Sequence, residues 1–215
     1  MSAELSDLLA ESRQLGFLGP GPVGSHVAHA KAFAAAATSV QGRALDLGAG
    51  GGVPGLVLAA TTWPTTHWRL LDARARCTLF LERAIVQLDL EERVEVVSGR
   101  AEETGRDGRH RGRYDLVVAR SFGPSAVTAE CAAPLVRLGG HLVVSEPPAA
   151  DASQRWPEDR LAELGFGPAN PLVIGVDRPR EDASVVVHLV VLELIGNVPD
   201  RYPRRVGVPA KRPLF

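Results

Sequence analysis

The feature that most constrains the fold is a glycine-rich turn that follows a short apolar stretch and an acidic residue. Residues 45–59 read LDLGAGGGVPGLVLA, so that Asp46 stands two residues ahead of the first of several glycines. Glycine-rich turns that lead into a helix usually bind phosphates. A carboxylate at Asp46 would repel a phosphate, so this residue either has no role in binding or indicates a ligand of another kind.

Predicted strands and helices alternate along the chain. Strands are predicted at 43–50, 67–73, 94–99, 114–119 and 141–145, and helices at 54–60, 76–90 and 125–136. The long apolar run at 184–194 predicts a further strand. Repeated strand–helix units of this length predict an α/β protein with a parallel sheet and helices on both faces. Ligands bind such sheets at the carboxyl ends of the strands, where the strand order reverses, which points to the first turn.

Length and composition are those of a globular domain with a sizeable core. The chain has 215 residues, of which 45% are apolar and 23% charged. Its first residues form neither a signal peptide nor a membrane span, and Cys77 and Cys131 are too few for a disulfide framework or a zinc site. We therefore expect a cytoplasmic, monomeric protein with no metal and no membrane partner. We also expect a helical extension over 1–40 and a domain over 41–215.

Two cofactors fit the glycine turn. Residues 50–55 match the dinucleotide pattern G-x-G-x-x-G, and Asp72 follows at the distance that pattern requires. The carboxylate of Asp46 would then face a pyrophosphate without compensation. S-adenosylmethionine removes this conflict, because its ammonium group attracts Asp46 while Asp72 can accept hydrogen bonds from the ribose hydroxyls. A third interpretation is that Asp46 merely caps the turn.

Five motifs make a more specific assignment possible. They occur in the order DLGAGGGVPGLVLA, LLDARARCTLFLE, VVSGRAEE, YDLVVARSFG and YPRRVGVPAKRPL. With them the chain resembles the bacterial 16S ribosomal RNA guanine-N(7) methyltransferases, the RsmG (GidB) family, over residues 43–215 and less closely over 147–183. The resemblance implies a class I S-adenosylmethionine-dependent methyltransferase with a Rossmann-like, seven-stranded, mostly parallel sheet in which 184–194 is antiparallel. It also implies 16S ribosomal RNA as the partner.

The turn and the resemblance together give a set of expected site residues. The cofactor is expected to contact Asp46, Gly48, Gly50, Val53, Asp72, Ala101, Glu102 and Arg120. Arg120 is expected at the methyl-transfer end and is the candidate catalytic residue. Substrate contacts are expected from Arg76, Arg100, Glu146, Arg204, Arg205 and Lys211. His26 matches a family histidine, but a lone histidine is more often structural, and we leave it out of the catalytic set.

The segment from residue 199 onwards is basic and interrupted by prolines. This pattern predicts an extended segment, rather than a helix, that docks on the domain and contacts RNA phosphates. The arginine-rich stretch 104–113 is predicted to be a plain exposed loop.

One departure from the family pattern concerns the substrate side. After the fifth strand, where the family usually has Lys-Gly, this chain has Glu146-Pro147. A carboxylate there would repel a phosphate but can accept hydrogen bonds from a base amine or from a cationic substrate. Three alternatives to ribosomal RNA methylation therefore stay open. They are a divergent paralogue that methylates another RNA or a small molecule, a cofactor-binding ribosome-associated protein without transferase activity and, last, a nicotinamide dehydrogenase.

Overall fold

A single mixed sheet organises the chain. The computed structural model describes residues 2–37, 42–148, 151–176 and 185–215. Seven strands are found in these ranges: β1 (Arg43–Leu47), β2 (His67–Asp72), β3 (Val94–Ser98), β4 (Tyr114–Ala119), β5 (Val136–Glu146), β6 (Asn170–Val176) and β7 (Val185–Glu193). Their order is β3-β2-β1-β4-β5-β7-β6. The first five strands are parallel, and β7 runs antiparallel to both β5 and β6. The predicted seven-stranded, mostly parallel sheet is therefore confirmed.

Helices cover both faces of this sheet. They are α1 (Ala3–Gln14), α2 (Val23–Ala36), α3 (Gly55–Thr61), α4 (Ala75–Gln87), α5 (Ala101–Thr104), α6 (Ser125–Ala132), α7 (Ala152–Arg155), α8 (Glu158–Glu163) and α9 (Val208–Lys211). Apolar side chains of α1 to α4 join one buried cluster with β1 and β2, and those of α5, α6 and α8 join a second. The helices α1 and α2, which lie in the predicted extension, thus share the core of the domain.

The strand order places the ligand-binding edge next to β1. From β1 the chain continues outward through β2 and β3 and then returns to form β4 on the other side of β1. The order therefore reverses between β1 and β4, and the loops that follow these two strands diverge at their carboxyl ends. Such a divergence leaves a crevice in which ligands of doubly wound proteins bind.

Two parts of the prediction between residues 125 and 176 are corrected. The helix predicted over 125–136 ends at Ala132, and β5 begins at Val136 rather than at residue 141. The residues Gly139 and Gly140 were expected to precede the strand, but they lie within it, where the pairing with β4 is irregular. The strand β6 has no counterpart in the sequence prediction, because Pro171 and Gly175 interrupt its apolar pattern.

The C-terminal tail, defined here as residues 198–215, is docked on the domain as predicted. Its residues Tyr202, Pro203 and Pro209 are buried. It is not extended throughout, however, because the single helical turn α9 interrupts it and packs against α6. The expected wholly extended tail is therefore corrected at 208–211.

Arginines of the loop 104–113 hold this tail in place. The Arg111 guanidinium donates hydrogen bonds to four carbonyl oxygens, of which three belong to the segment 198–202. The Arg106 Nε donates to the carbonyl oxygen of Pro203 at 2.8 Å. The prediction of a plain exposed loop is therefore wrong, since the loop clamps a segment about 90 residues further along the chain.

A buried ion pair fixes the tail at a second point. The Glu130 carboxylate on α6 is fully buried and accepts hydrogen bonds from the backbone N–H, Nε and Nη2 of Arg204. Hydrogen bonding to this carboxylate raises the pKa of Arg204. Arg204, expected as an RNA contact, thus has its guanidinium engaged within the fold.

We expect Arg204→Ala to lower the free energy of unfolding by about 3 kcal/mol, because it leaves a buried carboxylate without its charged partner. The measurement is urea denaturation at neutral pH. Arg205→Ala is the matched control, since this adjacent arginine is exposed and its removal should change stability by less than about 0.5 kcal/mol. Equal stability of the two variants would contradict a structural role for the pair.

Candidate active site

Two adjacent cavities open at the carboxyl edge of the sheet. The turn cavity has a volume of about 450 Å³, and its lining includes Gly48, Asp72, Arg100, Ala101, Glu102 and Ala210. The Glu146 cavity has a volume of about 380 Å³, and its lining includes His29, Arg120, Glu146, Arg155 and Trp156. Ser121 and Phe122, which follow β4, line both cavities. Two ligands bound in these cavities would therefore meet at Ser121 and Phe122.

The junction between the cavities has a strained backbone. Ser121 has a φ of 56°, in the left-handed region that residues with a side chain rarely adopt. Such strain persists where the surrounding structure imposes it, and it is common at functional sites. On the facing turn, Gly48 has a φ of 77°, and a Cβ at this position would lie 2.7 Å from the Phe122 ring. Glycine at 48 is therefore needed for the turn to approach Phe122.

Asp46 is a buried acid with one free oxygen. Its side chain lies at the end of β1, the residue is 1% exposed, and Oδ2 accepts a hydrogen bond from the Gly55 N–H at 2.7 Å. Its Oδ1 is buried and has no hydrogen-bond partner in the described part of the chain. Burial raises the pKa of Asp46 to about 7, against the effect of the Gly55 N–H. Asp46 therefore binds the first N–H of α3 with one oxygen, while the other has no partner among the described residues and Asp46 is not part of the lining of either cavity.

Asp72 shapes the same turn from the neighbouring strand. Its Oδ2 accepts from the Gly50 N–H at 2.8 Å, and its Oδ1 accepts from the Arg74 N–H at 2.8 Å. The Arg74 guanidinium lies against this carboxylate, 3.3 Å from Nε to Oδ1, on a largely exposed side chain. Gly50 thus supports the turn cavity through Asp72 and is not part of its lining.

Of the other residues expected to contact the cofactor, Ala101 and Glu102 line the turn cavity and Val53 does not. Glu102 Oε1 also accepts a hydrogen bond from the Gly207 N–H of the tail at 2.9 Å. Val53 is not part of the lining of either cavity. It is buried in the cluster formed with α1 and α2, where it packs with Leu5 and Val27.

Arg120 is held by a histidine that the sequence reasoning left aside. Its Nη2 lies 2.9 Å from His26 Nδ1, and His26 Nε2 lies 3.1 Å from the carbonyl oxygen of Gly19. Donation from Arg120 to Nδ1 leaves the proton of neutral His26 on Nε2, facing that carbonyl. Burial and the charge of Arg120 lower the pKa of His26, which favours this neutral form. The sequence indicated His26 through the family match, but not its contact with Arg120.

The Glu146 cavity contains further titratable side chains. Glu146 ends β5, its side chain is 5% exposed, and Oε2 accepts a hydrogen bond from Arg155 Nε. Its position at the carboxyl edge of the sheet is the one expected from the sequence. Burial, followed by the charge of Arg120, lowers the pKa of His29 to about 4, so that His29 is neutral near pH 7. His29, Arg155 and Trp156 had not been expected in a site.

Four of the basic residues expected to contact the substrate have exposed side chains. Arg76, Arg205 and Lys211 are exposed, as is Arg100 in the lining of the turn cavity. The Arg76 guanidinium lies 5.6 Å from the centre of the Phe17 ring. Within the described ranges, histidine, cysteine and acidic side chains form no group of three or more suited to a metal ion. Nor does any helix in those ranges have the length and apolar character needed to cross a bilayer.

Comparison with protein families and individual sequences agrees with the motifs. Residues 25–152 match the family model described as rRNA small subunit methyltransferase G. Proteins named ribosomal RNA small subunit methyltransferase G are similar to this chain. The protein from Roseiflexus castenholzii is 38% identical over 174 residues, which cover 80% of this chain and 71% of that protein. The protein from Thermotoga neapolitana is 36% identical over 177 residues, covering 82% and 73%.

Solved structures share the fold at low sequence identity. A putative O-methyltransferase from Klebsiella pneumoniae has a TM-score of 0.61 at 14% identity, covering 90% of both chains. An S-adenosylmethionine-dependent O-methyltransferase from Thermotoga maritima has a TM-score of 0.60 at 14% identity, covering 89% of this chain and 72% of that one. The architecture is that of class I methyltransferases.

The pKa of Asp46 predicts how ligand affinity depends on pH. An ammonium group binds the ionised carboxylate, and with a pKa of about 7 that form becomes the minority as the pH falls below 7. We expect the affinity for S-adenosylhomocysteine to fall about tenfold between about pH 8 and about pH 6. Calorimetry at both pH values measures the change. Asp46→Asn should bind weakly and show little pH dependence, and an unchanged wild-type affinity would contradict a contact with Asp46.

Proposed function

The chain belongs to the ribosomal RNA small subunit methyltransferase G family, and from that premise we propose that it methylates N(7) of a guanine in 16S ribosomal RNA. It is an S-adenosylmethionine-dependent ribosomal RNA methyltransferase, and the proposal specifies the RNA, the base and the atom. Because bacterial ribosomes are cytoplasmic, the proposal also places the protein in the cytoplasm. No observation favours the alternative functions, and the nicotinamide alternative loses its support with the family assignment.

The turn cavity and the glycine turn beside it have residues that fit the cofactor. The buried Oδ1 of Asp46, beneath the glycine turn, lacks a partner among the described residues and suits an ammonium group. The close approach of Gly48 to Phe122 leaves no space for a side chain on the turn. Asp72 and Glu102 line the same cavity and are expected to accept hydrogen bonds from ribose and adenine. When bound there, S-adenosylmethionine supplies an electrophilic methyl group on its sulfonium sulfur.

Positioning is the main contribution of the chain to this reaction. Guanine N(7) carries an in-plane lone pair and needs no prior deprotonation, so a general base is not required. What the reaction requires is that the nitrogen be held against the methyl group in line with the bond that breaks. The observation that carries the proposal is that Ser121 and Phe122 line both cavities, because cofactor and base are then neighbours.

Arg120 is proposed to orient the base from the Glu146 cavity. Its Nη2 is fixed by His26, and its Nη1 is buried without a partner among the described residues. A guanidinium held on one side by a neutral imidazole presents its remaining N–H groups in one direction. We assign Arg120 to contact with the base and His26 to the positioning of Arg120.

The exposed basic residues are proposed to bind the RNA backbone. Arg76, Arg100, Arg205 and Lys211 have no acidic partner within the described ranges. Phosphate contacts of this kind fix the orientation of an RNA without reading its sequence. Arg204 contributes to this surface indirectly, because its pair with Glu130 holds the tail against α6.

The direct test measures methyl transfer from labelled S-adenosylmethionine to 16S ribosomal RNA that lacks the modification. We expect incorporation at one guanine N(7), located by chain cleavage at the methylated base. Asp46→Ala, which removes the unpartnered buried oxygen beneath the glycine turn, should weaken cofactor binding by about 1–3 kcal/mol and slow incorporation accordingly. Labelling of a different RNA, with none in 16S RNA, would contradict the proposal.

The basic surface gives a second prediction. Arg205→Ala combined with Lys211→Ala should weaken RNA binding and leave the affinity for S-adenosylhomocysteine nearly unchanged. The slope of log affinity against log salt concentration should flatten by about 0.7 to 0.9 for each phosphate that the variant no longer binds. The control is Lys31→Ala combined with Arg160→Ala, which removes the same charge from exposed positions on α2 and α8. Equal effects of the two double variants would show that net charge alone is responsible.

A further inference from the structure

We propose that the Glu146 cavity is a base-recognition pocket in which Glu146 accepts hydrogen bonds from the N1–H and 2-amino group of the target guanine. This inference rests on the proposed function and names the group that selects its substrate base. It concerns Glu146, the acidic residue that ends β5.

Buried polar atoms without a partner are concentrated in this cavity. Six such side-chain atoms occur among the described residues. Four of them belong to residues that line the Glu146 cavity: His29 Nδ1, Arg120 Nη1, Glu146 Oε1 and Trp156 Nε1. A buried polar group without a partner is destabilising, so natural proteins rarely have several in one place. Their concentration marks a site that a polar ligand completes.

The chemistry of these atoms matches a nucleobase better than a phosphate. Glu146 Oε1 is an acceptor, whereas Arg120 Nη1 and Trp156 Nε1 are donors. A base carries donors and acceptors on one planar ring, and its face can stack on an aromatic side chain such as Phe122, which lines the cavity. A phosphate offers acceptors alone and would be repelled by the carboxylate.

A carboxylate in this place favours guanine among the four bases. Guanine presents two neighbouring donors, N1–H and the 2-amino group, on one edge. On the corresponding edges of adenine and cytosine, a ring nitrogen acceptor stands beside the amino group and would repel Glu146. Guanine N(7) lies on the opposite side of the ring system, so it stays free when Glu146 holds the donor edge.

Arg155 fixes the position of the Glu146 carboxylate. Its Nε donates to Oε2, which leaves Oε1 without a hydrogen-bond partner among the described residues. The Arg155 charge also compensates part of the cost of burying a carboxylate whose side chain is 5% exposed. The pair therefore holds the acceptor in place.

Inosine provides a direct test, because it lacks the 2-amino group and retains N1–H and N(7). Binding of a short RNA with guanosine or inosine at the target position is measured by fluorescence anisotropy in the presence of S-adenosylhomocysteine. We expect the wild type to prefer guanosine about tenfold, the usual value of one hydrogen bond to a charged group. Glu146→Ala should bind both RNAs equally, and Glu146→Gln, which keeps a neutral acceptor, should show an intermediate preference.

Control variants distinguish a loss of base recognition from a loss of the folded structure. Glu158→Ala removes an exposed acid from α8 and should keep the wild-type preference. All variants should keep the wild-type affinity for S-adenosylhomocysteine, which binds in the other cavity. If Glu146→Ala does not fold, Glu146→Gln decides the question.

Two results would overturn the inference: a wild type that binds guanosine and inosine RNA equally, or a Glu146→Ala variant that keeps the preference. Methyl transfer to the guanosine RNA is measured in parallel. Preference without transfer would leave the base pocket intact and contradict the proposed function instead. Methyl transfer to the guanosine RNA without a binding preference over inosine RNA would support the proposed function and contradict the base pocket.

Discussion

The structure of the site depends on the burial of one carboxylate, that of Asp46. Held at the end of β1 and 1% exposed, it binds the first N–H of α3 and so fixes how the glycine turn leaves the sheet. The described part of the fold satisfies one of its oxygens and not the other. A buried acid with a raised pKa and an unpartnered oxygen destabilises the domain, and in the proposed function the ammonium group of the cofactor would offset this cost.

Much of this arrangement could be predicted from the sequence because it follows from strand ends. Asp46, Asp72 and Glu146 each end a parallel strand in the structure or stand next to its last residue, and such residues meet at one edge of the sheet. The strand β6 could not be predicted, since Pro171 and Gly175 disturb its periodicity. The contact between His26 and Arg120 joins residues 94 positions apart, and no local pattern indicates a pairing over such a distance.

The roles of individual arginines could not be predicted from the sequence. Arg204 and Arg205 are adjacent and identical in type, yet Arg204 binds buried Glu130 while Arg205 is exposed. Similarly, Arg106 and Arg111 bind backbone carbonyls of the tail, although their loop has the composition of a solvated segment. In both cases the partner decides the role of the arginine, and the partner is brought near by the tertiary fold. A count of basic residues in the sequence therefore predicts a larger RNA-binding surface than the one that the fold leaves exposed.

The C-terminal tail affects when, during synthesis of the chain, the turn cavity becomes complete. Ala210 forms part of the wall of the turn cavity, and Gly207 binds Glu102 in that wall. A chain is made from its N-terminus, and its early segments fold first. The sheet from β1 to β5 can thus assemble while the tail is still inside the ribosome, but the turn cavity stays open on one side. The turn cavity is therefore complete only when residues 207–210 have emerged and docked.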